Sequence, residues 1–152
     1  MMKDILIREI NLSELHDFQF HLLKFYAEIE HTLHVKKIED LVHEFYTKGI
    51  ILIAKDDSKD KIIGFLCAIE SFSIYANGIF GVINELYVTP DYRSQKIGRK
   101  LIHSLLKIAK ENQWNRIELD TPEVEKSAKT IKFYHNEGFV EVGLRLKKTL
   151  KY

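Results

Sequence analysis

One cysteine, two prolines, a near-zero net charge and no long apolar run set the first limits on this 152-residue chain. Cys67 stands alone, so no internal disulfide can form, as suits a reducing compartment. Pro90 and Pro122 sit at candidate turns, and no proline-rich linker, repeat or low-complexity tract divides the sequence. Twenty-three basic residues balance twenty-two acidic ones, for a net charge of +1. No global field therefore draws nucleic acid or a membrane surface, and any basic site must be local. Apolar stretches are too short to span a bilayer, and Lys3, Asp4, Arg8 and Glu9 break up any signal-peptide core. The expectation is a cytoplasmic protein with one domain over residues 1–152, without nucleic-acid or membrane partners.

What is present is a rich alternation of patterns. Ile5, Ile7 and Ile10 predict a short strand, and Ser13 offers a helix N-cap. Leu15, Phe18, Leu22, Phe25, Tyr26 and Ile29 then recur at helical spacing, and Ile38, Leu41, Val42 and Phe45 predict a second helix ending near Gly49. Strands are predicted over 50–54, 62–71 and 79–88, a helix over 97–112, a strand over 116–119 and a helix over 127–135. Closing strands over 139–142 and 144–150 complete the order β–α–α–β–β–β–α–β–α–β–β. Antiparallel hairpins thus give way to βαβ alternation, which implies an α/β fold with a mixed central sheet and helices on both faces.

The stretch 83–101 carries the clearest ligand signal. A strand runs into Pro90, then into a loop and helix start where Arg93, Lys96, Arg99 and Lys100 place four cations within eight residues. Free N–H groups and the positive end of a helix dipole converge at such a place and suit a phosphate. Charge runs are more often solvated faces, so the loop alone leaves both readings open.

The strand before it holds Glu85. Strict alternation puts Glu85 on one face with Ile79, Ile83 and Tyr87, and Asn84 on the other with Phe80, Val82, Leu86 and Val88. A carboxylate among apolar neighbours would be desolvated and its pKa raised, as a general base near neutral pH requires. An exposed strand end, or a paired carboxylate, is the plainer alternative. Tyr134 shares a helical stripe with Ile131 and Ala128 and on that ground reads as core.

Together these segments resemble the GNAT superfamily of N-acetyltransferases. Its signature loop appears as Arg93-Ser94-Gln95-Lys96-Ile97-Gly98, preceded by Val88, Pro90 and Arg93, and its characteristic ending as Phe133-Tyr134-His135-Asn136-Glu137-Gly138-Phe139. Lys96 replaces the first loop glycine, which is tolerable if its φ stays negative. The resemblance implies a GNAT-like acyl-CoA N-acyltransferase fold that binds acetyl-CoA, without a metal, between the strand ending at Val88 and the strand over 116–119. Backbone groups of Leu86, Tyr87 and Val88 would pair with the pantetheine arm, and Ser127 would contact it. Ser94, Gln95, Lys96, Ile97, Gly98, Arg99 and Lys100, helped by Arg93, would hold the pyrophosphate. Glu85 would be the base toward a small-molecule or peptide amine, a strand N–H near Leu86 would stabilise the oxyanion, and Tyr134 would protonate the leaving thiolate. The resemblance also allows a homodimer.

Other clusters weigh less. Glu28, Glu30, His31 and His34 match no strong zinc spacing and read as a polar loop near the acceptor site. Cys67 has no histidine signal beside it, which disfavours a covalent acyl-cysteine. A catalytically silent acyl-CoA-binding sensor is the competing function. Glu85 and Tyr134 argue against it.

Overall fold

A computed structural model describes residues 4–33, 37–121 and 128–151. The chain divides into two compact units, Met1–Glu118 and Leu119–Tyr152.

In the first unit, β1 (Ile5–Glu9) leads to α1 (Leu15–Glu28) and α2 (Ile38–Lys48). Then come β2 (Ile50–Asp56), β3 (Lys61–Ser73), β4 (Gly78–Val88), α3 (Ile97–Glu111) and β5 (Ile117–Leu119), whose last residue begins the second unit. The sheet order is β1-β2-β3-β4-β5, with β1 to β4 antiparallel to their neighbours. Beside β4, the Asn115 N–H reaches the Ile79 carbonyl and the Gly81 N–H reaches that of Arg116. Both chains advance together between these bonds, the pattern of a parallel pair. The mixed sheet expected from the sequence is therefore present.

Helices cover both faces. Phe18 and Leu22 of α1 and Val42 of α2 bury against Ile51, Ile53, Phe65 and Cys67. Leu52, Leu66 and Ala68 alternate to the opposite side, where α3 packs along the sheet with Ile97, Leu101 and Leu105 buried. Trp114, just past α3, lies where a side chain on Gly81 would have to stand, and its Nε1 donates to Glu70 at 2.6 Å. That close approach is why β4 carries a glycine at this point.

Two expectations change. Ser13 is not the cap before α1. A 3₁₀ turn starts after Asn11, whose N–H donates to the Glu14 carboxylate at 2.9 Å, and Arg8 holds that carboxylate with two further bonds. The closing strands do not form either. Residues 139–151 adopt no strand, and Val140, Val142, Leu144, Leu146 and Leu150 are exposed. Their alternation is real, but a strand also needs an edge to pair with. The second unit's regular element is α4 (Ala128–Asn136).

Candidate active site

Strand β4 does not alternate strictly. Cys67 of β3 faces Glu85 across the ladder, but the next residue, Ala68, faces Ile83, so Asn84 is an extra, bulged residue. A bulge shifts the phase of everything after it. Glu85 and Tyr87 consequently share the face of Phe65 and Cys67, beneath α1 and α2. Ile83, opposite Ala68, and Ile79, opposite Phe72, fall on the other face. The expected grouping of Ile79 and Ile83 with Glu85 is thus corrected, because the sequence pattern assumed an unbroken period of two.

Re-aimed in this way, Glu85 enters a half-buried setting lined by Tyr26 and Cys67. Tyr26 of α1 donates its hydroxyl to Glu85 Oε1 at 2.5 Å, and the Cys67 thiol is a second hydrogen-bond partner. Burial raises the Glu85 pKa above the usual carboxylate value, against the lowering effect of those two donors. Burial and the neighbouring carboxylate push both Tyr26 and Cys67 up, so each keeps its proton. Phe25 packs tilted against Tyr26 and edge-on to Phe65 and Tyr87, with the Phe25 and Tyr87 ring centroids 5.8 Å apart. A cavity of about 90 Å³ lies between α1, α2 and this stretch of sheet, with Glu85 in its wall.

Beyond Val88 the chain makes a 3₁₀ turn over Pro90–Tyr92, fixed where the Tyr92 hydroxyl donates to buried Asp56 at 2.7 Å. Arg93 braces the same corner. Its Nε donates to the Val88 carbonyl at 2.9 Å, its Nη2 meets Glu28 at 2.7 Å, and its guanidinium lies 5.6 Å from the Tyr87 ring centre. Ser94 and Lys96 both take left-handed backbone, with φ of 65° and 61°. The condition that Lys96 keep a negative φ is therefore not met: this lysine adopts the conformation that the family's glycine would take without strain. Lys96 is the N-cap of α3 and makes no side-chain cap bond, and the first turn of α3 carries no acid. Buried Ile97 anchors the helix start, while Ser94, Gln95, Lys96, Arg99 and Lys100 are exposed around it and Gly98 is half-buried. The helix dipole thus opens on a ring of donors and cations that its own first turn does not neutralise.

The sequence profile of the Acetyltransferase (GNAT) domain matches residues 47–141, more than half of the chain and all of β2 to α4. The chain belongs to the GNAT acetyltransferase family. It is 29% identical over 119 residues to an uncharacterized N-acetyltransferase of Archaeoglobus fulgidus, covering 74% of this chain and 79% of the relative. It is 26% identical over 106 residues to glucosamine 6-phosphate N-acetyltransferase of Schizosaccharomyces pombe, covering 69% and 91%. In fold it is similar to an aminoglycoside acetyltransferase from an uncultured soil metagenomic sample, with a TM-score of 0.80 at 20% identity over 97% of both chains. A ribosomal-protein-alanine N-acetyltransferase from Brucella melitensis biovar Abortus 2308 gives 0.73 at 19% identity, over 97% and 99%.

Within this GNAT frame the first unit unites Glu85, Leu86, Tyr87 and Val88 on one strand with the loop 93–100 that follows it. Tyr134 belongs to the second unit, where it is buried on α4, edge-on to Phe133 and Phe139, and burial pushes its hydroxyl up to about 12. Gly138, at φ 90°, ends this helix as expected. Ser127 lies outside the described residues, as does His34. Among the described residues no group of three or more His, Cys, Asp or Glu is placed to hold a metal ion, and Glu28 is instead the partner of Arg93. Sequence reasoning missed the working roles of Tyr26 and Glu28. Tyr26 carried only the signal of an apolar helical stripe, and nothing local points to a carboxylate 59 residues away.

Proposed function

We propose that this GNAT protein transfers the acetyl group of acetyl-CoA to a primary amine by direct attack in a ternary complex. The observation that carries this reading is the continuity of the bulged strand with the loop: one segment presents a raised-pKa carboxylate at one end and an uncapped, cation-ringed helix N-terminus at the other. The loop fits a pyrophosphate, which needs converging N–H groups and positive charge close together. In this reading Ser94 to Lys100 hold the diphosphate, Arg93 braces the loop, and Leu86 to Val88 offer strand-like backbone to the pantetheine arm. Acetyl-CoA supplies the activated acyl group when bound.

The chain's own part is proton management. An alkylammonium, with a pKa near ~10.4, must lose a proton before it can attack, and Glu85 takes it through a bridging water. The Leu86 N–H lies beside the position where negative charge develops. Tyr134, whose burial keeps it protonated beforehand, gives its proton to the sulfur as the C–S bond breaks and recovers one from the nitrogen of the collapsing intermediate, so CoA leaves as the thiol. Cys67 takes no covalent part, because its buried thiol remains a thiol and hydrogen-bonds Glu85. Thiol release from acetyl-CoA across an amine panel tests the reading. Amine-dependent release supports it, whereas CoA binding without release favours a sensor.

A further inference from the structure

The concavity beside Glu85 has a chemistry that narrows the acceptor. Leu22 of α1 and Ile38, Leu41 and Phe45 of α2 line it with carbon. Glu85 is its one charged group among the described residues, and Tyr26, already bonded to Glu85, is its one hydroxyl. We infer that the acceptor is a monoamine with a compact apolar body, its nitrogen at Glu85 and its alkyl or phenylalkyl part between α1 and α2. The inference rests on Glu85 being the base in the reading above. A polyamine or aminoglycoside would bring further ammonium groups to a wall with no second carboxylate, and an unpaired buried charge is costly. An amino sugar would bring hydroxyls that this lining cannot satisfy. An apolar body instead replaces water over carbon, and a cavity of only about 90 Å³ admits a compact body rather than a long polyamine or an oligosaccharide.

Two measurements on the full chain separate this inference from the transferase reading. In thiol-release kinetics, kcat/KM should climb about fourfold per methylene from propylamine to hexylamine. Hexylamine and phenethylamine should exceed spermidine and glucosamine 6-phosphate by about 100-fold. Leu41→Glu, at the half-exposed rim, should narrow the gap between hexylamine and cadaverine about threefold by giving the second ammonium a partner. Calorimetric titration of the free protein with phenethylamine should show binding that Phe45→Ala weakens. Binding without acetyl transfer would sustain the pocket and sink the transferase reading. Faster turnover of spermidine or the amino sugar, or no binding of any apolar amine, would overturn the pocket and leave the transferase reading standing wherever turnover is seen.

Discussion

Tyr26 and Glu85, 59 residues apart in the chain, meet in a 2.5 Å hydrogen bond between a helix and a bulged strand. The bulge at Asn84 makes the meeting possible: an unbroken β4 would turn the carboxylate toward α3. The bond also sets the carboxylate's strength. Burial pushes the Glu85 pKa up, the Tyr26 hydroxyl pulls it partly back, and the net result remains raised.

Tyr26→Phe should release that restraint. A net hydrogen bond of ~1 kcal/mol corresponds to about 0.7 pH unit, so the acidic limb of kcat/KM should move upward by up to about that much. A limb that stays in place would show that Tyr26 does not tune the base.

Glu85 should also leave a mark on stability. Its folded-state pKa lies above the unfolded value near ~4.3, so the folded state binds the proton more tightly. Its contribution is complete below that pH and is lost as pH rises through the raised value. Glu85→Gln should therefore gain Tm relative to wild type as pH goes from 4 to 7. A Tm difference, variant minus wild type, that stays flat or falls from pH 4 to 7 would contradict the desolvated carboxylate.

Lys96 offers a separable pair of effects. Glycine at φ 61° removes left-handed strain but loosens the unfolded chain, so Lys96→Gly should gain up to about 1 kcal/mol in urea denaturation. The same change removes a cation beside the pyrophosphate site and should raise the KM for acetyl-CoA. Lower stability would show that the lysine side chain holds the loop together.

For Tyr134→Phe the expected result is a lower kcat with acetyl-CoA affinity nearly unchanged, read from steady-state kinetics and CoA titration. Unchanged turnover would leave Tyr134 as a packing residue between Phe133 and Phe139.

Much of this architecture was legible in the chain itself. Strong periodicity marked α1 and α3, each of which buries one face, and compact apolar runs marked β2 to β4, which lie between helices on both sides. The loop and its helix start were legible because their chemistry is local. The bulge was not, since the extra residue becomes visible only when Ala68 is found opposite Ile83. Nor was the partnership of Tyr26 with Glu85 or of Glu28 with Arg93, which depends on how α1 lies across the sheet. The alternation from Val140 to Leu150 was over-read, because a pattern of exposed apolar residues does not supply a pairing edge.

The most direct test of the account is the pH dependence of kcat/KM for wild type and Glu85→Gln with an accepted amine. The account predicts a wild-type acidic limb above the ordinary glutamate range, and in the variant a loss of that limb with a rate lower by about 10²–10⁴-fold. An unchanged limb at an unchanged rate would contradict Glu85 as the base.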